Sequence, residues 1–277
     1  MNGMNEQRGT RTSHPGAPTI TTDTATNPGR VGRDFYRMTA RVVGVIYLAG
    51  FVIGIGGALL FQPLFGAPNP LAAVSAASMT VALGALLWLL PAVGDAAHGI
   101  LMYPILKRYN ERIAVGYLAA RIMDAVFIAI MALLILFQIP LANEYVKAAA
   151  SDSLTLQAVS TVLLHAKQYA YQLGMSTLGV SGVLLCSTLY RARLIPRVLA
   201  IWGLVGYAVI LVGMLAEIAG FGLGVELTSA LPAGLWEVFV GVWLLARGFS
   251  SAPGPQAQTT ASTTPRMTSS DVGSATI

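Results

Sequence analysis

The chain is predicted to be an all-α integral membrane protein, a bundle of six transmembrane helices with both termini cytoplasmic and disordered tails. Three observations predict it. Hydrophobic side chains fill 55% of the 277 positions and charged ones only 10%, against about 25% charged in soluble domains. Six apolar segments reach the roughly 20 residues that a helix needs to cross a bilayer. Lys and Arg gather beside alternate connections, where retention of positive charge on the cytoplasmic side would place them. So little charge could hardly cover a water-facing surface, which excludes an ordinary soluble enzyme.

The elements follow in order. Residues 1–34 are rich in Thr, Pro, Gly and Asn and carry no apolar run of the signal-peptide kind, so a disordered cytoplasmic tail is expected there. The transmembrane domain occupies 35–249. Its first helix spans 38–62 and stops at Pro63; the second spans 79–106 and contains Pro91 and Pro104; the third spans 113–137. Residues 138–154 form the most polar internal connection and are expected to be a loop. The fourth helix starts after Thr155 and ends by Tyr190, the fifth spans 196–218 and the sixth 232–249. Residues 250–277 are again poor in large apolar side chains and read as a second disordered cytoplasmic tail. Helices rather than strands are required, because an open strand edge in hydrocarbon leaves its backbone groups unpaired.

Charge sets the threading. Arg30, Arg33, Arg37 and Arg41 precede the first helix; Lys107, Arg108 and Arg112 join the second to the third; Arg191, Arg193 and Arg197 join the fourth to the fifth; Arg247 closes the sixth. The other connections offer Lys147 and little else. Both termini are therefore expected in the cytoplasm, with the protein in the inner membrane. The net charge of +5 comes from these short groups and forms no dense basic stripe with interleaved aromatics, so no nucleic-acid partner is expected. The single cysteine, Cys186, cannot form an intramolecular disulfide.

The pattern resembles the bacterial membrane family called domain of unknown function 4386, over about residues 40–248. The residues that carry the resemblance are Arg41, Gly44 and Tyr47 in the first helix, Asp95 in the second, and Arg121 with Asp124 in the third, where the family more often has Glu. Leu194-Ile195-Pro196-Arg197 and Gly206-Tyr207 match its fifth-helix entry, and Glu237, Trp243 and Gly248 its last helix. The resemblance implies a multi-pass bacterial membrane protein and supplies no reaction.

Ionisable side chains at membrane depth are functional candidates by default, since each costs about 3 kcal/mol at a helix centre on insertion scales. Asp95 and His98 share a face of the second helix, and Arg121 and Asp124 a face of the third. All four fall in one layer of the cytoplasmic half. An Asp95–Arg121 pair with His98 and Asp124 lining a polar cavity could bind an anion or pass a proton; the alternative is a structural salt bridge between two helices. Pro91 precedes Asp95 and either breaks the helix beside that cavity or kinks it for packing. A second layer toward the outside holds Lys167, which either faces Glu237 in an outer vestibule or snorkels to the interface; the neighbouring Tyr and Trp residues are expected in the interfacial belt and Glu237 buried. Gly50 and Gly54 give a GxxxG spacing that suggests helix association only weakly.

No GxSxG, HExxH, P-loop, dinucleotide fingerprint or CxxC occurs, and no cofactor or metal site is expected. Three functions remain in view. The first is a carrier of a small solute or protons using the buried Asp, Arg and Glu residues. The second is a scaffold, sensor or partner subunit whose buried charges are structural. The third is an intramembrane hydrolase-like enzyme using Asp95, His98 and Asp124 as acid–base groups. The lipid bilayer is the one partner the composition demands.

Overall fold

The structure, a computed structural model, describes residues 28–222, 224 and 226–250. These form seven helices: α1 (Pro28–Phe65), α2 (Pro70–Ala76), α3 (Ser78–Leu106), α4 (Glu111–Tyr145), α5 (Ala150–Ala192), α6 (Arg197–Ile218) and α7 (Glu226–Ala246). No strand occurs among the described residues. Five helices are long and apolar enough to cross a membrane: Phe35–Phe65 of α1, then α3, α4, α5 and α6. A sixth apolar stretch, Ala230–Ala246 of α7, is shorter. The helix α1 starts at Pro28, inside the segment expected to be tail, and runs through Pro63. Residues 1–27 and 251–277, the remainder of both expected tails, lie outside the described residues.

Local chemistry sets the helix ends. Asn69 caps α2, its side-chain oxygen accepting from the Ala72 amide, and Pro70 supplies the fixed backbone angle of a first helical residue. Asn110 caps α4 in the same way, accepting from the Ile113 amide at 3.2 Å, with Glu111 in the first turn. Helix α5 ends on Arg193 in the left-handed conformation, φ 54°, followed by Pro196.

The connection expected at 138–154 is mostly helix. Helix α4 passes Pro140 and ends at Tyr145, and α5 resumes at Ala150. Gln138, Asn143 and Tyr145 of this stretch bond between helices, while Lys147 with Glu144 and Ser151 with Asp152 pair locally. Ser160 donates to Gln138 Oε1 at 2.7 Å, and the Tyr145 hydroxyl accepts from both Asn69 and Gln157. At 35 and 43 residues, α4 and α5 are about 52 and 64 Å long. Both exceed the roughly 30 Å hydrocarbon layer.

Helices pack mainly on their chain neighbours, α3 on α1, then α4, α5, α6 and α7 in turn, and α7 returns to α1, closing a ring of six with α2 lying against α4 and α1. Glycines allow the closest approaches. A Cβ on Gly44 would lie 2.8 Å from the Gly241 carbonyl oxygen of α7, and one on Gly179 would lie 2.8 Å from Leu211 Cβ of α6. The Gly179–Gly182 stretch is thus a helix-packing feature. A methyl group added at Gly50 or Gly54, by contrast, would meet no atom within 4 Å, so neither glycine serves a helix contact within the ring. One apolar cluster, including Val43, Met102, Leu185, Tyr207 and Trp236, fills the ring toward the basic helix ends; a second, including Phe61, Val81, Ile135 and Ala170, fills the other half.

Candidate functional site

Asp95 of α3 meets Arg121 and Asp124 of α4 inside the ring. Arg121 is 4% exposed and its Nη2 lies 2.6 Å from Asp95 Oδ1 across the α3–α4 contact; Asp95 is 23% exposed. Its Nη1 lies 3.6 Å from Asp124 Oδ2 on the next turn of α4, and Asp124 is 1% exposed. Gly99 makes the approach possible, since a Cβ there would stand 3.0 Å from Arg121 Cβ. The helix α3 that presents Asp95 is continuous through Pro91 and Pro104, so a helix break at Pro91 is not present. Proline still removes the amide that would have bonded to the Leu87 carbonyl.

His98, fully buried, points into the ring and shares a hydrogen bond through Nδ1 with the Tyr117 hydroxyl. Its ring packs edge-on to Tyr47 of α1 at a centroid separation of 4.7 Å. From Tyr47 an aromatic path continues to Trp236 of α7 at 6.0 Å and on to Tyr207 of α6 at 5.4 Å. The Tyr207 hydroxyl donates to Glu237 Oε1 at 2.7 Å. Two indoles lock α6 to α7 reciprocally: Trp236 Nε1 donates to the Leu199 carbonyl at 2.6 Å and Trp202 Nε1 to the Pro232 carbonyl at 3.1 Å.

Glu237 therefore belongs to the same layer as the other charges. Counted from the basic end of each helix, His98, Asp95, Arg121, Asp124 and Glu237 all stand about 12 to 20 Å deep at 1.5 Å per residue. The two-layer expectation fails because it starts the last helix at Pro232; α7 begins at Glu226, which moves Glu237 from the outer turn to the middle. Glu237 also lies within electrostatic reach of Arg121 and Asp95. Lys167 does not face it. On α5, Gly182 packs against the Tyr207 ring, and Lys167 lies fifteen residues earlier, about 22 Å away along the helix.

Space in this layer is tight. The void lined by Tyr47, His98, Met102 and Trp236 measures about 10 Å³, the room of at most one water molecule. Three buried polar atoms of the cluster have no hydrogen-bond partner: His98 Nε2, Arg121 Nε and Asp124 Oδ2. Among the described residues, no group of three or more His, Cys, Asp and Glu side chains is placed to hold a metal ion.

A family model described as Domain of unknown function (DUF4386) matches residues 42–248, well over half of the chain. The chain belongs to this family. No curated protein and no solved structure matches it. In this DUF4386 chain, several residues that carry the resemblance converge on the site: Tyr47, Asp95, Arg121, Asp124, Tyr207 and Glu237. Sequence reasoning places four of the charged groups together and sets Glu237 apart. It misses the aromatic members Tyr47, Tyr117, Tyr207 and Trp236 as parts of the site. Tyr117 carries a usable signal, standing four residues before Arg121 and so on the same helix face.

Proposed function

We propose that this DUF4386 protein is an integral protein of the cytoplasmic membrane that moves protons, alone or coupled to a small solute, through the Asp95–Arg121–Asp124 cluster. The observation that carries the reading is the set of buried polar atoms in one cluster that make no hydrogen bond, His98 Nε2, Arg121 Nε and Asp124 Oδ2, the last held only by the 3.6 Å ion-pair contact to Arg121. A purely structural lock satisfies its polar groups, because each buried orphan costs about 1–3 kcal/mol. Two carboxylates around one guanidinium also leave one excess negative charge when all three are ionised. Within a low-dielectric bundle, a single proton held between Asp95 and Asp124 removes that excess. Tyr117, His98, Tyr47, Trp236, Tyr207 and Glu237 extend the polar and aromatic chain from α4 across to α7. The narrow void supports a proton over a larger cargo, since protons pass along single waters and side chains. Basic residues at the ends of α3, α5 and α7 support an orientation with both termini on the cytoplasmic side.

The test is proton flux into proteoliposomes carrying an internal pH dye, driven by a potassium diffusion potential. The expected result is dye acidification above protein-free vesicles, lost in Asp124→Asn and Asp95→Asn. Intact, monodisperse protein giving no flux with any imposed gradient would overturn the reading. A structural role is the second reading, favoured by the close Arg121–Asp95 contact between adjacent helices. It is supported instead if Asp95→Asn lowers thermal stability while wild-type protein carries no protons.

A further inference from the structure

A second site lies at the basic end of the bundle, away from the buried cluster. A cleft of about 780 Å³ opens between the start of α4 and the end of α5, lined by Tyr109, Asn110, Ile113, Thr188, Arg191 and Arg193. Its charge is of one sign. Glu111, the nearby acid, is turned to Lys107 at 2.9 Å and does not line the cleft. Other arginines at this end are held over aromatic rings: Arg108 over Tyr36, Arg197 over Tyr190 and Arg247 over Trp243. Arg191 and Arg193 make no ion pair among the described residues. Arg193 is, among the described residues, the one non-glycine residue with positive φ. Glycine is the usual occupant of that helix-ending position, and a side chain there costs roughly 1–2 kcal/mol. Arg193 lines the cleft from this turn. Partial burial and the neighbouring Tyr36 push the pKa of the Tyr109 hydroxyl upward, against the opposing effect of Arg108.

We propose that this cleft binds the headgroup phosphate of an anionic glycerophospholipid, with Arg191 and Arg193 on the phosphate and Tyr109 and Asn110 as polar partners. Location favours a lipid over a soluble anion. The cleft lies at the basic ends of two helices long and apolar enough to cross a membrane, the ends that headgroups would meet, and its lining includes the apolar Ile113. Its volume is in the range of small-molecule sites. Basic pockets between transmembrane helices are the chemistry that retains anionic headgroups.

The test is native mass spectrometry of the full chain released from nanodiscs of phosphatidylcholine, with and without phosphatidylglycerol. Wild-type protein is expected to retain phosphatidylglycerol in preference to phosphatidylcholine. Arg191→Gln and Arg193→Asn are each expected to lower that retention about 5-fold, and the double variant about 30-fold, from roughly 1 kcal/mol per surface-facing charge. Asn is chosen at 193 because it tolerates the left-handed backbone, which keeps the fold intact. Arg197→Gln, stacked on Tyr190 outside the cleft, is expected to leave retention unchanged. Equal retention of the two lipids, undiminished retention in the double variant, or displacement of bound lipid by millimolar inorganic phosphate would each overturn the proposal. The last outcome would mark a site for a soluble anion.

Discussion

Arg121 of α4 and Asp95 of α3 meet at 2.6 Å, both inside the ring of six helices. Breaking a buried pair by removing one partner typically costs about 3–5 kcal/mol, because the other charge is left uncompensated. Asp95→Asn is therefore expected to lower the thermal midpoint in detergent strongly. The double variant Asp95→Asn with Arg121→Gln is expected to recover part of that loss, since it leaves no guanidinium unpaired. A double variant as unstable as the sum of the singles would show that the two residues act independently.

Tyr207 and Glu237 give a graded test of the opposite wall. Tyr207→Phe removes one hydroxyl donor to Glu237 and is expected to cost about 1.5–3 kcal/mol if the carboxyl is charged and about 1 if it is protonated. Gly182→Ala acts on the same contact from α5, because its new Cβ would sit inside the Tyr207 ring. Overpacking of this kind costs about 1–3 kcal/mol and displaces the ring from Glu237. Thermal denaturation of the two single variants and the pair should therefore be non-additive. Strict additivity would mean that Gly182 does not position Tyr207.

Much of this is legible in the sequence, and what is not has physical causes. Apolar length locates five helices long enough to cross a membrane and the shorter sixth stretch, and the i, i+3 spacing places Asp95 with His98 and Arg121 with Asp124. Polarity misleads at 138–154, because composition does not reveal that Gln138 and Ser160 satisfy each other across two helices. Glu237 falls in the wrong layer when Pro232 is taken as a helix start, whereas a helix can carry a proline within its length, as α7 does. The aromatic members of the site are invisible for a different reason. Tyr47, Tyr207 and Trp236 look like any other apolar-belt residue until the ring closure of α7 on α1 brings them together.

The Gln138–Ser160 contact is itself measurable. Ser160 Oγ donates to Gln138 Oε1 at 2.7 Å, with both residues buried. Interhelical hydrogen bonds between transmembrane helices average about 0.6 kcal/mol in double-mutant cycles, with a maximum of about 1.7. A cycle of Gln138→Leu and Ser160→Ala is expected to give a coupling in that range. Zero coupling would mean that the α4–α5 hairpin is held by packing alone.

Threading can be tested with the chain's own chemistry. Cys186 is fully buried, so wild-type protein is expected to stay unlabelled by a membrane-impermeant maleimide and to serve as a silent background. Lys147 stands in the short α4–α5 connection and Arg108 in the α3–α4 connection, at opposite ends of α4. With both termini cytoplasmic, Lys147→Cys should label from outside intact cells. Arg108→Cys should label only after permeabilisation, because arginines cluster on the retained side. The reverse pattern would invert the protein. It would place the Arg191–Arg193 cleft on the outer leaflet and turn the direction of any proton movement through Asp95 and Asp124.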